Sequence, residues 1–306
     1  MNRTFGDRLR ALWRAGETWG RARWARLTHW QAAAGPASES GCVEALYAAE
    51  PSRRWQAAAA LGQDPMRSPQ AVAALVDALV DPEEFVRWQA IEALAHQRGR
   101  VFDTLAACLD DSEPLRRAGV AQVLGRLGGE AALQALLPRA NDPAAEVRAA
   151  VAEALGRLAD PAALPALLPL IADPETRVVR AAARALSRLG QPAAAVPLAE
   201  ALAQPGQPLL ARRALAAALA DAPHPDAQPQ LLAALADPDP QVRGYAASGL
   251  GQVGNEAALA ALQTLRGDQS RLIEGTVGQQ VERALALLDR RGRRAAAADR
   301  PAAGAS

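Results

Sequence analysis

VRWQAIEALA, residues Val86 to Ala95, has a near copy in RRWQAAAALG, residues Arg53 to Gly62. The copies share Arg-Trp-Gln-Ala and, a little further on, Ala-Leu, and they lie 33 residues apart. A fixed period of this size is the mark of a repeat architecture. With Val86 as position 0, the frame has Arg at +1, a small or apolar residue at +4, Ala at +7, Leu at +8, and Asp five residues upstream. It recurs with Asp111, Arg117, Val120 and Leu124, and again with Asp142, Val147, Arg148, Val151 and Leu155. Two further copies carry Asp173, Val178, Ala182 and Leu186, and Asp237, Val242, Arg243, Ala246 and Leu250. Weaker copies begin at Arg53, Ala211 and Ile273, which makes eight repeats spaced by 30 to 33 residues.

Positions 0, +4, +7, +8 and +11 fall on one side of a helical wheel, so each copy reads as an amphipathic helix. Asp-Pro before it is a start signal, and Gly128, Gly190 and Gly254 read as stops. An upstream helix precedes each copy, with Phe102, Leu105 and Leu109 in one repeat and Leu164, Leu167 and Ile171 in another. A single helix pair cannot bury its apolar stripe alone, whereas stacked pairs can. The expected fold is all-α: a right-handed α-solenoid of about eight helix–turn–helix units over residues 39–288. An N-terminal segment and linker (1–38) precede it, and a disordered basic tail (289–306) follows.

The pairs Asp81/Arg87, Asp142/Arg148 and Asp237/Arg243 resemble the HEAT repeat. The short period and the wording "DP…VR..A..AL..L" are similar to the HEAT-like repeats named after phycobilisome lyases. The resemblance implies an Asp–Arg ladder within and between repeats. Arg116 departs from the pattern at position 0, Val179 stands where the Arg would be, and Gly206 stands where the Asp would be. The ladder is therefore expected to break at the sixth repeat, where Gly206 stands.

Half of the residues are apolar, and all 34 basic residues are Arg. Residues 1–31 carry seven Arg against Asp7 and Glu17, and the last 21 residues carry five Arg against Asp289 and Asp299. The body between is net acidic, which argues against nucleic acid as a partner. Cys42 and Cys108 read as small buried hydrophobes. No run is long and apolar enough for a membrane span, and the start lacks the apolar core of a secretory signal, so a cytoplasmic protein is expected. The start is an amphipathic helical pattern: Phe5, Leu9, Trp13, Trp24 and Trp30 fall on one side, Arg3, Arg10 and Arg14 on the other. It reads as an end cap, a membrane-surface helix or a docking helix for another protein.

Chemistry is sparse. His29, His96 and His224 are scattered and lack ligand partners, and none stands in the His-Glu pair that HEAT-like deoxyhypusine hydroxylases use for iron. We expect no catalytic residues, no metal and no cofactor. In HEAT-like arrays the second helix lines the concave side, so positions +2, +6 and +10 are its candidate surface. Arg180, Arg184 and Arg188 form a stripe there, joined by Arg126, Arg157 and Arg213. Helix-end placement against the dipole offers an alternative account of Arg126, Arg157 and Arg188. Trp55 and Trp88 take +2 positions and read either as aromatic hooks for a partner or as residues covered by the N-terminal helix.

The favoured reading is a non-enzymatic scaffold that binds a protein or peptide with an acidic surface. The family resemblance implies a second reading, a bilin- or cofactor-handling lyase or chaperone-like factor acting on a client protein. A third is an adaptor in peripheral contact with a membrane through residues 1–31.

Overall fold

Ala, Leu and Arg dominate the chain between its Gly- and Pro-containing turns, a composition that favours helix over strand. The computed structural model describes residues 38–63, 68–97 and 101–298. Among these there are sixteen α-helices and no strand, only an isolated bridge between Arg271 and Thr276. The N-terminal amphipathic pattern lies outside the described residues. No described helix is long and apolar enough to cross a membrane.

The chain forms two compact units, Met1–Ala154 and Leu155–Ser306, divided within one helix. Unit 1 contains α1 (Glu39–Ala45), α2 (Pro51–Leu61), α3 (Pro69–Asp77), α4 (Glu84–Ala95), α5 (Phe102–Ala107), α6 (Pro114–Leu127) and α7 (Glu130–Leu136). The dividing helix is α8 (Ala145–Leu158). Unit 2 contains α9 (Leu164–Leu167), α10 (Thr176–Leu189), α11 (Ala195–Ala203), α12 (Leu209–Asp221), α13 (Gln228–Ala234), α14 (Pro240–Val253), α15 (Glu256–Thr264) and α16 (Val277–Ala298). Odd-numbered helices are the first helices of the repeats and even-numbered ones the second. Second helices pack on second helices in each unit: α2 on α4 and α4 on α6, then α10 on α12, α12 on α14 and α14 on α16.

The apolar frame is buried as its period demands. Val120 and Leu124 in unit 1, and Val178, Ala182 and Leu186 in unit 2, are nearly inaccessible. Burying a Leu or Val completely contributes about 1.5–3 kcal/mol, so the repeated stripe is the main source of cohesion. Cys42 is buried and Cys108 half-buried, both as free thiols. Burial, with nearby Glu39 for Cys42 and Asp111 for Cys108, pushes both thiols above the ordinary range, away from reactive thiolates.

Three expectations need correction. The last repeat does not start its core at Ile273, which is 87% exposed. Its buried residues are Val277, Val281, Ala284 and Leu285, in the same 0, +4, +7, +8 pattern. Four extra residues therefore precede this second helix. The tail from residue 289 does not begin as disordered chain, because α16 continues to Ala298. Finally, the Asp of Asp-Pro closes the turn before the helix rather than capping it. Asp81 Oδ1 accepts from the Glu83 N–H at 2.9 Å, and α4 is preceded by Glu83. In the seventh repeat the cap is the next acid, Asp239, which accepts from the Gln241 and Val242 N–H groups.

The Asp–Arg ladder is present. In unit 1, Arg117 Nη1 donates to the carbonyls of Asp111 and Ser112 in its own turn (2.8 and 3.2 Å). Its Nε and Nη2 fork onto Asp142 of the next repeat (2.8 and 2.7 Å). Arg54 grips Asp81 in the same way, as Arg212 does Asp237 in unit 2, while Arg243 reaches one oxygen of Asp268 and gives its Nη2 to the Ser270 hydroxyl. Val179 and Gly206 show why the ladder breaks where the sequence suggests. An Arg pairs with the Asp of the following repeat, so these two departures remove both halves of one rung. Arg116 also finds a role at position 0. It pairs with Asp77 at 2.9 Å, and the Tyr47 hydroxyl donates to the other oxygen of that carboxylate at 3.0 Å.

One helix end carries strain. Gly190 ends α10 at φ 60°, whereas Ala159, which follows α8, takes φ 54° without being glycine. A left-handed alanine costs about 1–2 kcal/mol, offset in part by the freedom glycine adds to the unfolded chain. Ala159→Gly should therefore stabilise the protein by about 0.5–1 kcal/mol in urea denaturation. A loss of stability would show that the methyl group makes a compensating contact.

Candidate functional site

The face of α10 opposite its core stripe carries Arg180, Arg184 and Arg188, one helical turn apart. Arg184 and Arg188 are exposed and Arg180 is half-buried. Because α12 and α14 pack alongside, this face becomes one wall of a groove of about 390 Å³ in unit 2. Arg213 of α12 contributes a fourth guanidinium, and Leu210 and Tyr245 add apolar surface.

The four arginines are held differently. Arg213 is fixed by Asp239, with Nε to Oδ1 at 3.0 Å and Nη2 to Oδ2 at 2.6 Å. The bond from Arg213 holds the Asp239 carboxyl below its usual range, against burial and with help from the Val242 N–H. Arg213 is thus partly neutralised and rigid. By contrast, among the described residues neither Arg180 nor Arg188 has a hydrogen-bond or ion-pair partner. Two like charges at i, i+4 on a helix repel by about 0.2–0.5 kcal/mol, so the mutual placement of these arginines costs α10 stability. Helix-end placement accounts for Arg188, in the last turn of α10, but not for Arg180 in its first half.

The other residues expected at the site lie elsewhere. Arg157, in unit 2, is exposed but does not line this groove. In unit 1, Arg126 pairs with Glu92 at 3.0 Å, which spends its charge inside the protein. Trp55 is not a surface hook. It is 3% exposed and clusters with Phe85 and Val86 of the second repeat; the N-terminal helix expected to cover it lies outside the described residues. Trp88 is half-buried. The sequence reading missed Tyr245. Its signal was a departure from the frame: position +3 is Ala181 and Ala214 in the two preceding repeats, and an aromatic in the seventh.

No group of acidic, His and Cys side chains among the described residues has the arrangement of a metal site. The groove offers four guanidiniums, the Asp221 carboxylate, the Ser187 hydroxyl, one phenol and apolar edges. Its lining is on balance positively charged and partly apolar.

The HEAT-repeat family model matches residues 40–124, 133–210 and 206–286. No curated protein is similar in sequence. Among solved structures, YibA of Escherichia coli is 22% identical with a TM-score of 0.56, over 74% of this chain and 88% of that one. The complex of CpcE and CpcF of phycocyanin lyase from Nostoc sp. PCC7120 is 24% identical over 83% of this chain and 94% of that one, with a TM-score of 0.36. Human deoxyhypusine hydroxylase is 27% identical over 82% and 96%, also with a TM-score of 0.36. The repeat frame, the Asp–Arg ladder and the family match agree: the chain belongs to the HEAT-repeat family.

Proposed function

We propose that this protein is a non-enzymatic interaction scaffold, and that the groove on α10, α12 and α14 holds an acidic segment of a partner protein. The observation that carries this reading is the pair of guanidiniums of Arg180 and Arg188, without partners among the described residues, beside Arg184 and Arg213 in one concavity. Two guanidiniums that find no counter-charge in their own fold, those of Arg180 and Arg188, are accounted for by an external one. Arginine suits that role because its planar fork grips a carboxylate through two bonds.

The test is the triple variant Arg180→Gln, Arg184→Gln, Arg188→Gln, with a fluorescein-labelled hexaglutamate peptide as the probe in anisotropy titrations. Binding should weaken about tenfold or more, because charge-assisted bonds contribute more than neutral ones. Wild-type affinity should fall steeply between about 0.05 and 0.5 M salt. The denaturation midpoint of the variant should stay the same or rise slightly as the repulsion is relieved. A variant that unfolds would make these arginines structural and overturn the reading.

A further inference from the structure

The arginine groove does not end at Tyr245. Asp221 and Tyr245 line both it and a second concavity of about 290 Å³, whose far wall is the turn between α15 and α16. The four residues that lengthen the last repeat build this turn. It is well pinned: the Leu272 N–H donates to the Gly275 carbonyl at 3.0 Å, and the Val277 N–H donates to the Ser270 carbonyl at 3.0 Å. Arg243 ties it to the ladder through Asp268 and the Ser270 hydroxyl. Leu272 sits over Gly244, where an added Cβ would come within 3.0 Å of the leucine Cδ1. The next residue, Ile273, is nevertheless 87% exposed and lines the second concavity. A fixed turn thus holds an isoleucine in water at the edge of a groove.

Charge changes along the same path. The first concavity sets four arginines against Asp221; the second sets Asp221 and Glu274 against the single Arg283. An acidic ligand residue is attracted on the α10 side and repelled beyond Tyr245, where an uncharged apolar residue would meet Ile273 instead. Helices pack about 8–10 Å apart, so the α10 face and the turn beyond α14 are separated by about 20 Å. An extended chain at about 3.3 Å per residue crosses that in about six residues.

We infer that the ligand is a bipartite linear segment: a cluster of acidic residues on the arginines and, about six residues away, a large aliphatic or aromatic residue packed on Ile273. This rests on the acidic-partner reading above. Two end-blocked, fluorescein-labelled probes would test it: tetraglutamate followed by a neutral Gly-Ser spacer, and the same peptide with Leu about six residues beyond the acids, made in both chain directions. One direction of the leucine probe should bind about tenfold tighter than the acid-only probe. Ile273→Ser should abolish that gain and leave acid-only binding unchanged. If leucine adds nothing in either direction, or if Ile273→Ser weakens both probes equally, the inference fails while the acidic groove stands. If the acid-only probe does not bind, the underlying reading fails with it. A change in the sedimentation of the chain alone on Ile273→Ser would make the turn a self-association contact and overturn the inference as well.

Discussion

Arg117→Met should destabilise the protein by about 3–5 kcal/mol, the effect of breaking a buried ion pair from one side. Arg117 and Asp142 are 9% and 7% exposed, and the pair is bidentate at 2.7–2.8 Å. Methionine fills much of the arginine volume, so little of the loss comes from a cavity. The loss comes from the stranded carboxylate, left with the Ala144 N–H at 2.9 Å, and from the turn carbonyls of Asp111 and Ser112, which lose their donor. Adding Asp142→Asn to Arg117→Met should recover a large part of the stability, because the amide keeps an acceptor for Ala144 and carries no charge. Arg266→Met is the control. Its partner Glu282 is 57% exposed, and pairs of that kind contribute about 0–1 kcal/mol.

The pH dependence separates charge from packing. Burial pushes the Asp142 carboxyl up, but the bonds from Arg117 and the Ala144 N–H outweigh it, and the group lies below its usual range. A depressed carboxyl contributes stability that is present above the unfolded value of about 3.9 and is lost as pH falls through the folded value. In Arg117→Met the guanidinium is gone, burial still pushes the carboxyl up, and only the Ala144 N–H and the charge of Arg139 oppose it, so the depression is relieved. The variant's penalty then sets in as pH rises through the carboxylate range. Urea denaturation should show the largest gap between wild type and variant near neutral pH, narrowing below about pH 4. A gap independent of pH would assign the loss to packing.

The parts of this fold that were legible in the sequence are those written once per repeat. The second helices, their buried stripe and the ladder follow from a period that each copy restates, and even the missing rung was visible at Val179 and Gly206. What was not legible arose where one copy departs from the others. Ile273 matched the period but not the environment, because four inserted residues turn the chain before α16 and Val277 takes over the core. Trp55 sat on the wheel opposite the stripe of its own helix. That wheel carries no information about the neighbouring repeat, whose Phe85 and Val86 cluster with it. The arginine stripe was readable because it lies on one helix. The groove was not, because its Tyr245 wall comes from a different repeat.

The close approach of second helices sets the other large effect. Position +9 of the frame is glycine in four repeats, Gly62, Gly125, Gly156 and Gly251, and each faces the +7 alanine of the next repeat. A Cβ built on Gly156 would lie 2.6 Å from both Cα and Cβ of Ala185 on α10. Helix propensity alone favours replacing this glycine, by up to about 1 kcal/mol for alanine. Packing opposes it: the obstacle is backbone, which cannot rotate aside as a flexible side chain would, and overpacking costs about 1–3 kcal/mol. Packing wins, so Gly156→Ala should be net destabilising. Gly156→Val, which adds bulk and gains less propensity, should lose about 3 kcal/mol in urea denaturation. Gly267→Ala is the counter-test, since nothing lies within 4 Å of its added Cβ; its midpoint should hold or rise. Combining Gly156→Ala with Ala185→Gly should restore only part of the loss, because the new methyl group still meets the backbone of residue 185 after that residue's own methyl is removed. Since α10 carries Arg180, Arg184 and Arg188, prising it outward should also weaken hexaglutamate binding, although Gly156 does not line the groove. If Gly156→Val keeps its stability, the helices can separate at little cost, and glycine at +9 is not what sets their spacing.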